Sequence, residues 1–162
     1  MMQDKHRRDF IKASSMVAAT GAMIAKFGRI AKASASERVR VGIVGAGGRA
    51  MSLIESFSAN KSVEVVAIAD LDSNRLPKGL EAAAKSQDKV PRGESDFRKL
   101  IDDKSIDALV VGTPDHWHAI PTILACQAGK DVYVEKPLCQ TPQQGVELVE
   151  AEKRTRQIVP QL

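Results

Sequence analysis

The sequence predicts an α/β fold of the doubly wound kind, a parallel sheet with helices on both faces, and three observations lead there. Apolar, β-branched runs recur at 39–45 (VRVGIVG), 63–70 (VEVVAIAD), 106–112 (IDALVVG) and 131–135 (DVYVE), without the polar alternation of a half-solvated strand. Stretches with apolar residues at helical spacing separate them. The first run also ends in clustered glycines directly before a helical stripe. Strands alternating with helices make parallel sheets through right-handed crossovers.

Taken in order, "GRAMSLIESFSAN" after the first strand places Ala50, Met51, Leu53, Ile54 and Phe57 on one stripe. The second strand is followed by a helical stretch through Leu80 and Ala82, Ala83 and Ala84. Ser95 or Asp96 caps a short helix carrying Phe97, Leu100 and Ile101, before the strand at 106–112. Pro121 is tolerated only in a first turn, so the next helix starts around 118–120 and stops at Gly129. That leaves "TPDHW" as a loop at the carboxyl end of a strand. After "DVYVE", Thr141 caps a helix from Pro142, with Val146, Leu148 and Val149 apolar and Glu150, Glu152, Lys153 and Arg154 solvated. "QIVP" begins a sixth strand, in which Pro160 removes a ladder donor.

At 162 residues the chain is about one domain's worth. Its formal charge of +4 lies at the front: residues 1–35 hold seven basic and two acidic side chains, the remainder 17 basic and 18 acidic. The body therefore has no general attraction for polyanions, and a nucleic-acid partner is not expected. The front reads as an address. Arg7-Arg8-Asp9-Phe10-Ile11-Lys12 resembles the twin-arginine export signal, with His6 where Ser or Thr is more usual. A mild apolar stretch over 13–25 follows, too short for the ~20 residues of a membrane span. Small-x-small sites stand at Ala31-Lys32-Ala33 and Ala33-Ser34-Ala35. The expectation is a signal peptide over 1–35, a domain over 36–162, the twin-arginine translocase as a partner, and a periplasmic or otherwise exported location; an uncleaved tether is the alternative.

Cys126 falls in a helix and Cys139 beyond a strand, so two thiols are expected in place of a disulfide. His116 and His118 are two residues apart, which is not a metal-ligand spacing on a helix, and no metal site is expected.

Gly45-Ala46-Gly47-Gly48-Arg49-Ala50, between strand and helix, has the context of a dinucleotide fingerprint. Gly45 permits the tight turn, Gly47 lets the backbone approach a pyrophosphate, and Ala50 stands where helix and strand pack. Ala46, Gly48 and the helix N-terminus offer N–H groups to phosphates, and Arg49 adds positive charge. Asp70 ends the second strand 25 residues after Gly45, where a carboxylate accepts hydrogen bonds from an adenosine ribose; a helix-cap or strand-end role is the bland alternative. An acid there repels a ribose phosphate, so NAD is expected over NADP, with Arg75 nearby able to reverse the preference.

The strings "VGIVGAGGRA", "AIADLD" and "DFRKLIDDKSIDALVVGTPDHWHAIPTILACQAGKDVYVEKPL" are similar to the N-terminal domain of the Gfo/Idh/MocA oxidoreductases over about 38–160. The resemblance implies that Thr113, Pro114 and the segment to His118 line the nicotinamide half of the cofactor, and that Glu135-Lys136-Pro137 is the family's EKP motif. Lys136 would then reach nicotinamide ribose and substrate and polarise the reacting hydroxyl or carbonyl. Glu135 would sit near the ribose, and Pro137 would set the turn. Independently of the family, an ammonium at the carboxyl end of a parallel strand faces the ligand crevice, although an ion pair with Glu135 remains open. His116, His118 and Trp117 are each either cofactor-lining or ordinary packing and capping residues.

Family members continue into a second α/β domain that carries most substrate contacts, so the chain is expected to be a cofactor half, truncated, whose activity alone is uncertain. The resemblance implies an NAD(P)-dependent oxidoreductase that moves a hydride between a sugar or polyol and nicotinamide, possessing homo-oligomeric relatives. An NAD-dependent glycoside hydrolase on the same scaffold and a non-catalytic dinucleotide-binding fragment are the alternatives.

Overall fold

The computed structural model describes residues 38–155 and 157–160. The expected leader over 1–35 lies outside the described residues. Among the described residues, no helix is long and apolar enough to cross a membrane.

Five strands form one parallel sheet: β1 (Val39–Val44), β2 (Val63–Ala69), β3 (Arg92–Glu94), β4 (Ala108–Val111) and β5 (Asp131–Val134), in the order β3-β2-β1-β4-β5. Helices α1 (Gly48–Ser58), α2 (Leu76–Ala84), α3 (Arg98–Asp102), α4 (Ala119–Gln127) and α5 (Pro142–Thr155) make the crossovers. After β3 the chain returns across the sheet to lie beside β1, so strand order reverses between β1 and β4. The doubly wound parallel architecture expected from the strand runs is present.

Two apolar layers sandwich the sheet, as period-two strands require when both faces are covered. Ile43, Val65, Ile68, Val110 and Tyr133 pack with Leu53 and Ile54 of α1 and Ala83 of α2. On the other face Val44, Leu109, Val111, Val132 and Val134 meet α3, α4 and Ala151 of α5. Close contact at the sheet's centre depends on Gly112: a methyl group there would lie 2.9 Å from Ala50 Cβ.

Three details differ from the expected elements. The sequence reading left no strand at β3, a short polar edge segment whose burial is too slight to mark it. Asp115–Trp117 of the expected loop forms a 3-10 turn that leads into α4. Residues 157–160 pair with β5 from one side only: Val132 N–H donates to Ile158 O (3.0 Å) and Val134 N–H to Pro160 O (3.2 Å). A parallel ladder also needs N–H groups in return, and Pro160 has none. Ile158 N–H turns instead to Asp131 Oδ1 at 2.9 Å.

Thr141 caps α5 as expected: its Oγ1 accepts from Gln144 N–H, while Gln144 Oε1 accepts from Gln140 and Thr141 N–H. Both cysteines are free. Burial pushes the Cys126 thiol up to about 11.

Candidate functional site

A cleft of about 680 Å³ opens at the carboxyl ends of the strands, where the order reverses. Open α/β sheets bind ligands at such a switch point. The expected Gly45, Gly47, Gly48, Arg49, Asp70, Thr113 and Pro114 all line it.

The floor is the turn between β1 and α1. Gly45 has φ +102°, and a side chain there would also run into the Gly112 carbonyl 3.0 Å away, so the tight turn needs glycine twice over. No side chain caps the N-terminus of α1 at Gly47. Its first-turn N–H groups and partial positive charge are left for a ligand.

Asp70 is fixed by this same turn. Its Oδ2 accepts from Ala46 N–H at 2.7 Å and its Oδ1 from Asp72 N–H at 2.8 Å. Ala46 is itself buried and contributes this backbone bond to the site without lining the cleft. A carboxylate has about four acceptor positions, so two bonds leave capacity for ribose hydroxyls. Arg75 reaches over the turn: a methyl group at Gly47 would lie 3.0 Å from its guanidinium. Asp72 pairs with Arg75 at 3.2 Å, and it is held below the usual carboxylate range, chiefly by the Asn74 N–H and also by Arg75.

The opposite wall comes from the segments after β3 and β4. Phe97 and Trp117 meet edge to face with centroids 6.4 Å apart, and Ser95, His116 and Pro121 join them. Thr113 Oγ1 is buried without a hydrogen-bond partner among the described residues. The uncapped helix end, the glycine turn that lets a ligand approach closely and the fixed carboxylate make the residues a fit for a dinucleotide.

The three expected residues His118, Glu135 and Lys136 stand apart from the cleft lining. Glu135 is buried, with Oε1 taking Arg49 Nε–H at 2.7 Å and Oε2 facing Lys136 N–H at 3.3 Å. Glu135 therefore faces α1, and its carboxylate raises the Arg49 guanidinium above its ordinary value by hydrogen bonding and by charge. Lys136 is exposed just past β5, and no ion pair holds its ammonium among the described residues. His118 is 2 % exposed, with both ring nitrogens against backbone carbonyls. It is packed between the loops after β4 and β5 and does not reach the cleft.

Arg75, expected near the ribose end, lines the cleft, whereas Phe97 and Ser95 are lining residues that the sequence does not mark. The aromatic and serine positions depend on where the short β3 edge strand delivers the chain.

Comparison with known proteins agrees with this geometry. The family described as "Oxidoreductase family, NAD-binding Rossmann fold" (GFO_IDH_MocA) matches residues 39–160. A "Glycosyl hydrolase family 109 protein" of Solibacter usitatus is 34% identical over 99% of this chain, which spans 39% of that relative's length. Biliverdin reductase from Synechocystis, solved with biliverdin and NADP+, superposes with TM-score 0.69 at 27% identity over 76% of this chain and 37% of its own. The WlbA dehydrogenase of Bordetella pertussis, solved with NADH and UDP-GlcNAcA, gives TM-score 0.65 at 27% identity over 77% of this chain and 34% of its own. A family match over most of the chain, a strand order reversing at β1 and a glycine turn under an uncapped helix converge: the chain belongs to the Gfo/Idh/MocA oxidoreductase family, as an NAD(P)-binding Rossmann domain.

Proposed function

We propose that this chain is the cofactor half of an enzyme that transfers a hydride between a sugar or polyol carbon and nicotinamide. The observation that carries the proposal is the cleft itself, with α1's uncapped N-terminus, Asp70 and Thr113 around one space. Amides of Gly47 and Gly48 would hold the pyrophosphate, Asp70 the adenosine ribose, and Thr113 and Pro114 the nicotinamide half. Bound nicotinamide would supply hydride chemistry. Lys136, exposed at the end of β5, would polarise the reacting sugar oxygen, making it the catalytic residue this half contributes.

NAD is the preferred cofactor in this reading. Asp70 repels a ribose phosphate, and Asp72 already pairs with Arg75, the cation that reaches over the glycine turn. Calorimetric titration of the chain with NAD and NADP tests this: binding of neither removes the cofactor assignment, and tighter NADP binding reverses the preference.

A second reading is favoured by the Solibacter usitatus relative, whose match covers 99% of this chain. On the same scaffold, hydride removal and return would serve glycoside cleavage with no net cofactor reduction. Accumulation of reduced nicotinamide with a polyol supports oxidation; release of an aryl aglycone without it supports cleavage. A catalytically silent outcome with intact NAD binding leaves a dinucleotide-binding fragment.

We further propose twin-arginine export through residues 1–35, supported by the Arg7-Arg8 motif and the small-x-small sites. Changing both arginines to lysine should strand the protein in the cytoplasm, and unaltered export would refute the assignment.

A further inference from the structure

The His118 ring lies between two chain segments far apart in sequence. Its Nε2 is 2.8 Å from Thr113 O, in the loop after β4, and its Nδ1 is 2.6 Å from Pro137 O, in the turn after β5. A carbonyl oxygen only accepts, so the ring is the donor wherever either contact is a hydrogen bond.

The ring is held on its own side as well. His118 sits immediately before α4, is fully packed, and its carbonyl accepts from Thr122 Oγ1 at 2.7 Å. One buried side chain thus ties the start of α4 to the loop after β4, which lines the cleft, and to the loop after β5. Thr113 is the wall residue with the orphan hydroxyl, and Pro137 directly follows Lys136.

We infer that His118 is a positioning residue that sets Thr113 and Lys136 relative to each other by seating its ring nitrogens against the carbonyls of Thr113 and Pro137. A side-chain hydrogen bond between Asp115 and Gln140 joins the same two loops at the surface, and His118 is their buried tie. The link to Lys136 chemistry rests on the proposed function; the bridge does not.

The test has two arms on the full chain. A long-range proton–nitrogen spectrum of the imidazole rings should show a His118 ring N–H protected from exchange with water, with its signal absent from His118→Asn. A His118 ring N–H that exchanges freely with water overturns the bridge. In the second arm, His118→Phe keeps the ring's bulk and removes both nitrogens. Amide shifts should then change at 113–114 and 136–139, and NAD(P) affinity should fall roughly 3- to 10-fold, as for one lost hydrogen bond. A lower melting temperature with loops and affinity unchanged would reduce His118 to a packing residue and overturn the inference. If the variant does not fold, the native ring spectrum decides. If the native chain binds neither dinucleotide, the proposed function fails, while the ring spectrum and loop shifts still judge the bridge.

Discussion

Replacing Arg49 and Glu135 by methionine, singly and together, tests whether charge fastens the glycine turn to the end of β5. The pair is 2.7 Å apart, with the Glu135 side chain 6% exposed and that of Arg49 56% exposed. Two unit charges about 4 Å apart near a protein surface interact by about 4 kcal/mol at an effective dielectric of ~20. Water around the half-exposed guanidinium screens much of that, and wholly exposed pairs are worth under ~1 kcal/mol. Arg49→Met leaves a buried carboxylate without its cation and should cost about 2 kcal/mol. Glu135→Met leaves an arginine free to hydrate and should cost about 1 kcal/mol. The double variant contains no stranded charge, so it should also cost about 1 kcal/mol, giving a coupling of about 2 kcal/mol. Urea denaturation of the four proteins measures this directly. Additivity within ~0.5 kcal/mol would refute the reasoning and make the pair a surface contact of no consequence.

Gly112→Ala should destabilise by about 1–3 kcal/mol, because its methyl would press on Ala50 Cα and Cβ and force α1 away from β4; an unchanged melting temperature would show that α1 shifts freely. Lys130 is buried at the amino end of β5 and donates to Asp103 O and Ile106 O at 2.7 and 2.8 Å, burial holding its ammonium below the ordinary value. Lys130→Met should cost about 1–3 kcal/mol by stranding those carbonyls, yet leave dinucleotide affinity intact, since the cleft lies at the other end of the sheet. The Ser105 hydroxyl and N–H, then Arg92, hold the Asp103 carboxyl well below its ordinary 3.8. A carboxyl depressed in the folded state contributes stability above its unfolded value, and that contribution is lost as pH falls below it. Acid denaturation monitored by circular dichroism should therefore show a larger loss below about pH 4 in the native chain than in Asp103→Asn, and equal slopes would sink the assignment.

What the sequence made legible is what local chemistry determines. Uninterrupted apolar runs identified four strands, Pro121 located the start of α4, and Thr141 with Pro142 located that of α5. The glycine turn and Asp70 were legible because a strand–turn–helix unit carries its own spacing. The edge strand β3 was not, since three polar residues at a sheet margin look like loop. Residues 157–160 fall between: the apolar run was visible, but Pro160 allows only half a ladder.

Pairings made by crossovers were out of reach. Arg49 and Glu135 are separated by 86 residues, and no local pattern links them. Strand geometry, once known, explains their meeting. Side chains alternate along β5, so Val132 and Val134 enter the layer of α3, α4 and α5, whereas Tyr133 enters that of α1 and α2. Glu135 continues the Tyr133 side. Tyr133 packs edge to face on Phe57 of α1, and one step further along the same face the carboxylate meets Arg49 at the start of that helix. Burial, and then the Glu135 charge, push the Tyr133 hydroxyl up to about 12, so it stays neutral beside the pair. The carboxylate and the ammonium, adjacent in sequence, thus have opposite fates. Glu135 is committed to α1 by the strand's period, and Lys136, one residue beyond the last bond of the ladder, is left exposed.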